Sequence, residues 1–117
     1  MLVSGVEHLA VLDTARSLAR EGAEVVELPV DGRCRLQWEI FERELSPDCA
    51  LVSIMWANNE TGVLFPIEEI AAICRSRGVL FHTDAVQVAG KIKIDVRSTD
   101  VDFLSLSAHK LHAPKGI

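Results

Sequence analysis

The 117-residue sequence predicts an α/β fold built on a mostly parallel β-sheet. Segments with helical spacing alternate with short apolar runs, in the order strand, helix, strand, helix, strand, helix, strand. Three of the apolar runs also end in polar residues, as strands do at the ligand-binding edge of an open parallel sheet. This alternation favours parallel neighbours joined by right-handed crossovers.

Three segments are predicted to be helical. Residues 8–20 carry apolar side chains on one side and charges on the other, and Gly22 ends this helix before a short strand at 24–28. Residues 36–45 are the third helix candidate, with apolar residues at less regular spacing. Residues 66–77 are the clearest helix, with Pro66 suited to the first turn and Gly78 ending it.

The apolar runs place polar groups where strands end. Residues 51–55 lead to Asn59, residues 79–83 lead to Asp84, and a third apolar run leads to Lys110. Since the carboxyl ends of parallel strands meet at one edge, these three side chains are predicted to share a rim. An amine at such a rim is what a carbonyl-bearing cofactor needs in order to be held as a Schiff base.

Composition narrows the class of protein. With 49% hydrophobic and 25% charged residues, the chain is expected to form one packed domain spanning 1–117. A net charge of −5 provides no basic stripe for nucleic acid. No apolar run approaches the roughly 20 residues of a membrane helix, and residues 1–5 do not resemble a secretory leader, so a cytoplasmic protein is expected.

The spacing of the three cysteines and of two of the histidines does not indicate a metal site. Cys34, Cys49 and Cys74 are too far apart for a Cys-x-x-Cys motif and are read as small buried hydrophobes, although Cys34 lies between two arginines and could have a lowered pKa. His109 and His112 are spaced like metal ligands, but no third ligand has matching spacing nearby. No metal site is predicted.

Four ordered motifs carry a family resemblance. They are Val6-Glu7-His8, the Ala-Asn-Asn-Glu-Thr-Gly stretch at 57–62, the His-x-Asp-Ala-x-Gln pattern at 82–87, and Ser107-Ala108-His109-Lys110. Together they resemble the pyridoxal-phosphate-binding part of a cysteine desulfurase, within the class V aminotransferase family, over essentially the whole chain. The resemblance implies the three-layer large domain of fold-type I pyridoxal-phosphate enzymes, here incomplete.

The resemblance also implies two catalytic residues and a partner for the cofactor ring. Lys110 would bind pyridoxal 5'-phosphate as a Schiff base and move protons once substrate displaces it. His8 would stack on the ring face. Asp84 would face the pyridine nitrogen and keep it protonated, so that the ring can accept electrons from a substrate carbanion.

Four further cofactor contacts follow from the same resemblance. Gln87 would bond the phenolic oxygen of the ring, and Asn59 would lie by that oxygen or by the substrate carboxylate. Ser107 and His109 would hold the phosphate, whose charge favours hydroxyl and imidazole donors.

Three of the implied or neighbouring residues have structural alternatives. Asp84 could cap a following helix, a role compatible with cofactor binding only if the carboxylate still points into the crevice. His8 could be an ordinary residue at the start of a helix. His82, inside an apolar strand, is interpreted as a hydrogen-bonded core histidine rather than a ligand.

The sequence also departs from the desulfurase pattern. Ala108 stands where these enzymes commonly have glycine. The upstream phosphate loop, the downstream nucleophilic cysteine loop and the small domain are expected to lie outside 1–117, and none of the three cysteines matches the nucleophile.

The expected function is that of a cysteine desulfurase segment. The enzyme would take sulfur from L-cysteine, give alanine and an enzyme persulfide, form a homodimer, and supply a sulfur acceptor or iron-sulfur scaffold protein. A selenocysteine lyase, an aminotransferase and a truncated non-catalytic cofactor-binding module remain alternatives.

Overall fold

The computed structural model describes residues 1–116, which form a five-stranded sheet with helices on both faces. The strands are β1 (Leu2–Ser4), β2 (Val26–Leu28), β3 (Leu51–Ser53), β4 (Leu80–Asp84) and β5 (Phe103–Ser105). The helices are α1 (Leu9–Arg20), α2 (Trp38–Glu44) and α3 (Ile67–Ser76), followed after β5 by a 3-10 turn, Ala108–Leu111.

All neighbouring strands are parallel, and their order across the sheet is β2-β1-β3-β4-β5. The chain therefore leaves β1 toward one edge, and after β2 it returns past β1 to build the other side. This reversal places a switch point between β1 and β3, and the loops that leave the carboxyl ends of those two strands diverge there. A crevice for a ligand is expected at that point.

Two cores cover opposite faces of the sheet because neighbouring residues of a strand point to opposite sides. Val3 of β1 packs with Leu12 and Ala15 of α1. The larger core lies on the other face and joins the strands to α2 and α3, as with Phe81 and Ile70. The predicted α/β class with a parallel sheet and three layers is confirmed.

The α1 face of the sheet is covered only in part. Strand register puts Val3, Ser53, His82 and Phe103 side by side on that face. Phe103 is 53% exposed and Leu80, two residues before His82, is 47% exposed. Among residues 1–116, therefore, the β4–β5 half of this face carries no helix.

The predicted helices agree closely with those observed. The first begins at Leu9 with His8 as its cap, the second is shortened to seven residues, and the third begins at Ile67 with Pro66 at the cap position rather than inside the first turn. Gly78 ends α3 as predicted, with a φ of +69° that glycine adopts without strain. The sequence does not predict the bounds of β1, because its three residues are too few to show the alternation of a strand.

Candidate functional site

A cavity of about 440 Å³ lies at the switch point, between the loop after β1 and the loop after β3. We call it the switch-point cavity. Its polar lining includes Glu7, His8, Asn58, Asn59 and Thr61, and Cys34 contributes from the segment after β2. Strand order alone explains the position, since the two loops leave neighbouring strands at the same edge and then separate.

His8 has a structural role at this cavity. Its Nδ1 accepts a hydrogen bond of 3.2 Å from the amide of Ala10, which satisfies one free N–H group in the first turn of α1. His8 therefore does cap the start of α1, as its alternative interpretation predicted. The ring is exposed and lines the cavity, so capping does not remove it from the site.

Asn58 organises the loop after β3. Its side-chain amide donates to the carbonyl of Val6 at 3.0 Å, and its Oδ1 accepts from the amides of Glu60 and Thr61 and from the Thr61 hydroxyl. The neighbouring Asn59 is exposed on the cavity wall. Sequence reasoning singled out Asn59 and missed Asn58. The available signal was that an Asn side chain in a loop commonly bonds to the backbone two residues later.

Asp84 ends β4 and is half-buried. Its Oδ1 accepts a 2.9 Å hydrogen bond from the amide of Val86, so the carboxylate does cap the turn that follows. Within the described part of the chain its other oxygen accepts no hydrogen bond and the carboxylate forms no ion pair. The cap therefore leaves one oxygen and the negative charge for another partner.

His82 joins three strands through its ring. Nδ1 lies 2.8 Å from the Ser53 hydroxyl of β3, and Nε2 lies 2.8 Å from the Ser105 hydroxyl of β5. Burial lowers the pKa of His82, and the nearby Asp84 carboxylate opposes that shift. The predicted hydrogen-bonded histidine is confirmed, with one correction: the ring is half-buried on the partly covered face rather than in the core.

Lys110 lies in the 3-10 turn after β5, and its amide donates to the carbonyl of Ser107. Asp84 and Ser105 are paired in the sheet, so this turn begins at the edge where Asp84 lies. Lys110 and His109 are exposed and Ser107 is half-buried. The segments that carry Asp84 and Lys110 therefore leave the sheet at the same edge.

Gln87 lies in the helical turns that follow Asp84, and it is half-buried. Leu111 packs against Gly90 at the end of these turns, where an added Cβ would lie 2.8 Å from the Leu111 side chain. The contact fixes the Lys110 turn against the segment that carries Gln87. The predicted residues thus form two groups on one edge of the sheet, one at the switch-point cavity and one after β4 and β5.

Glu7 is the main residue that sequence reasoning left without a role. Its Oε1 accepts hydrogen bonds from the Ser4 hydroxyl at 2.6 Å and from the Met55 amide at 2.5 Å, while its Oε2 is buried and has no hydrogen-bond partner among the described residues. Burial raises the pKa of Glu7 to about 7, and the charge of Asp84 adds to the rise. The sequence signal that could have indicated a role for Glu7 was its spacing of three residues from Ser4, next to His8.

The cysteines match their interpretation in two cases out of three. Cys49 and Cys74 are buried, as predicted, and burial raises the pKa of the Cys74 thiol to about 12, so that it stays protonated at neutral pH. Cys34 is half-buried, with a φ of +61°. It is therefore not one of the buried hydrophobes.

Residues 1–116 contain neither a candidate metal-binding cluster nor a candidate membrane-spanning helix. No group of three or more His, Cys, Asp and Glu side chains in this part is placed to hold a metal ion. None of its helices combines the length and apolar character that a membrane crossing requires.

Comparison with known proteins gives consistent matches along the chain. The family model for aminotransferase class-V matches residues 1–117. A cysteine desulfurase of Cereibacter sphaeroides is 54% identical and the cysteine desulfurase NifS of Azotobacter vinelandii is 52% identical, each over all of this chain. The chain spans only 30% of the length of the Cereibacter sphaeroides protein and 29% of the length of the Azotobacter vinelandii protein.

Solved structures agree with the sequence matches. A NifS-like protein superposes with a TM-score of 0.92 at 42% identity, over 98% of this chain and 32% of its own. A structure of SspA in complex with cysteine also gives 0.92, at 36% identity, over 98% of this chain and 33% of its own.

Proposed function

Because this chain belongs to the aminotransferase class-V family, we propose that it forms the cofactor-binding region of a cysteine desulfurase. The reaction would convert L-cysteine to alanine and leave the sulfur on an enzyme thiol as a persulfide. One observation carries the proposal: Asp84 and the Lys110 turn leave adjacent parallel strands at the same edge, in a chain about half identical to named cysteine desulfurases.

The residues at this edge fit pyridoxal phosphate by their chemistry. The aldehyde of the cofactor needs an amine, which Lys110 supplies, and its phosphate needs donors, for which Ser107 and His109 are placed in the same turn. Its ring nitrogen needs an anion. Asp84 suits that role because, within residues 1–116, no protein cation neutralises it and one of its oxygens accepts no hydrogen bond.

When bound, pyridoxal phosphate supplies an electron sink for a carbanion at the substrate Cα. Lys110 would hold the cofactor through Nζ and, once freed, carry a proton to and from the substrate. Asp84 would retain the proton on the ring nitrogen. His8 would cover one face of the ring, with Nδ1 bonded to the Ala10 amide so that the neutral imidazole carries its proton on Nε2.

The sulfur step requires a thiolate. A thiolate sulfur attacks the substrate sulfur, the substrate C–S bond breaks as the new S–S bond forms, and the electron pair left on the substrate carbon takes up a proton to complete alanine. Cys74 is a poor candidate because burial keeps it protonated. We assign the attack to a cysteine other than Cys34, Cys49 and Cys74.

Two further cofactor contacts rest on the resemblance. Gln87 and Asn59 would contact the cofactor, with Asn59 reaching it from the wall of the switch-point cavity. A homodimer, a sulfur acceptor or iron-sulfur scaffold partner, and a cytoplasmic location remain predictions.

Chemical trapping tests the central assignment. The chain is incubated with pyridoxal phosphate, reduced with borohydride and mapped by peptide mass. We expect the label on Lys110, its loss in Lys110→Ala, and its persistence in the matched control Lys115→Ala. Labelling of Lys91, Lys93 or Lys115 with Lys110 untouched would contradict the assignment.

Product analysis separates the chemistries. In the active enzyme that contains this chain, formation of alanine and an equal amount of persulfide from L-cysteine would support a desulfurase. Selenide from selenocysteine alone, or amino-group transfer to a keto acid, would instead favour the two related enzyme classes.

A further inference from the structure

Glu7 is a carboxyl group buried at the switch point. It is 5% exposed and lies between the end of β1 and the start of α1. Within the described residues it forms no ion pair. A carboxylate removed from water without a cation is unfavourable by several kcal/mol, so a residue of this type at this position needs a physical explanation.

The contacts of Glu7 connect distant parts of the chain. Oε1 accepts from the Ser4 hydroxyl, at the end of β1, and from the amide of Met55, which lies 48 residues away and just beyond β3. The bond from the Asn58 side-chain amide to the Val6 carbonyl adds a second tie between the same two loops. These bonds fasten the turn that carries His8 to the loop that carries Asn59.

The surroundings of Glu7 favour a neutral carboxyl. Burial raises the pKa of Glu7, the hydrogen bonds from Ser4 and Met55 lower it, and the charge of Asp84 at the end of β4 adds a smaller rise. His8 is the adjacent titratable group on its own loop. Among residues 1–116, no group donates a hydrogen bond to the buried Oε2 atom.

We propose that Glu7 is a positioning residue of the candidate site, whose carboxyl holds the His8 turn against the loop of Asn59 and thereby fixes the two walls of the switch-point cavity. The role of His8 toward a cofactor rests on the proposed function. The hydrogen bonds that join the two loops do not depend on that function, because they are contacts within this chain.

A hydrogen-bond acceptor at this point cannot be replaced by apolar packing. A leucine would fill the volume of Glu7 but leave the Met55 amide and the Ser4 hydroxyl without their acceptor. A glutamine keeps the Oε1 acceptor and removes only the ionisation. The pair Glu7→Leu and Glu7→Gln therefore separates loss of the tie from loss of the charge, and Glu24→Gln, at an exposed position, is the matched control.

Hydrogen exchange at the Met55 amide and the NMR signals of the His8 ring measure the tie directly. We expect Met55 exchange to rise about tenfold or more in Glu7→Leu, because a strong hydrogen bond is lost, with displaced His8 signals. In Glu7→Gln and Glu24→Gln, the exchange rate of the Met55 amide and the signals of the His8 ring should stay near their wild-type values. In wild type the Met55 amide signal should also titrate with pH, and in Glu7→Gln it should not.

Cofactor retention provides the link to function. Affinity for pyridoxal phosphate should fall in Glu7→Leu and stay near the wild-type value in Glu7→Gln. If the wild-type chain takes up no pyridoxal phosphate, the proposed function fails, whereas the Met55 and His8 signals still decide the role of Glu7. A Met55 amide that does not titrate in wild type, or that still titrates in Glu7→Gln, overturns the proposal even if Glu7→Leu does not fold. Unchanged His8 signals in a folded Glu7→Leu also overturn it.

Discussion

Replacing Glu7 by Gln should make the chain less sensitive to pH. The pKa of Glu7 is raised from 4.5 to about 7 in the folded chain, because the carboxyl is buried next to Asp84. The folded state then binds a proton that the unfolded state has already lost, so the free energy of unfolding falls as pH rises from about 4.5 to about 7. Glutamine keeps the shape and cannot ionise.

The size of the effect follows from the same values. One pKa unit corresponds to about 1.36 kcal/mol, so the rise in the Glu7 pKa corresponds to about 3 kcal/mol across the whole window. Below pH 4.5 the Glu7 contribution is fully present, and above pH 7 it is lost. Relative to Glu7→Gln, the wild-type chain should therefore lose about 3 kcal/mol of stability between pH 4.5 and pH 8.

Urea unfolding followed by circular dichroism, repeated across this pH range, measures the difference. Other titrating groups such as His82 are present in both proteins, so their contributions cancel in the comparison. Glu24→Gln should follow the wild-type curve. Parallel pH curves for wild type and Glu7→Gln would refute the reasoning, since they would show that Glu7 titrates at the same pH in the folded and unfolded chain.

Three further substitutions test other parts of the site. Asp84→Ala should slow turnover of L-cysteine in the active enzyme by at least roughly a hundredfold, about 2.7 kcal/mol, while leaving the fold intact; near-normal turnover would reduce Asp84 to a cap. Asn58→Ala removes the hydrogen bonds that the Asn58 side chain makes in the loop after β3 and to Val6. It should lower the free energy of unfolding by about 2 kcal/mol, with faster amide exchange at Thr61 as the local check and unchanged exchange there as the contrary result. Gly90→Ala should lower it by at least about 1 kcal/mol, because the residue has a φ of +74° and the new Cβ would press on Leu111; a wild-type urea midpoint would contradict this.

The sequence by itself determined the fold class and the family. The helices α1 and α3 were predictable because their apolar residues recur at helical spacing, a property of a dozen consecutive residues. The polar residues at strand ends, Asp84 above all, were predictable because a strand end is also marked locally. The motifs that carry the family resemblance are short and continuous, so they too can be read without coordinates.

Tertiary structure alone decided the strand order and the surroundings of the buried polar groups. β1 opens the chain yet lies inside the sheet, and its three residues carry no period from which that position could be read. The ring of His82 takes its partners from β3 and β5, and Glu7 takes one of its partners from a loop 48 residues away. The pKa of Glu7 depends on how much water the packed chain removes, which is a property of the assembled sheet and not of neighbours in sequence.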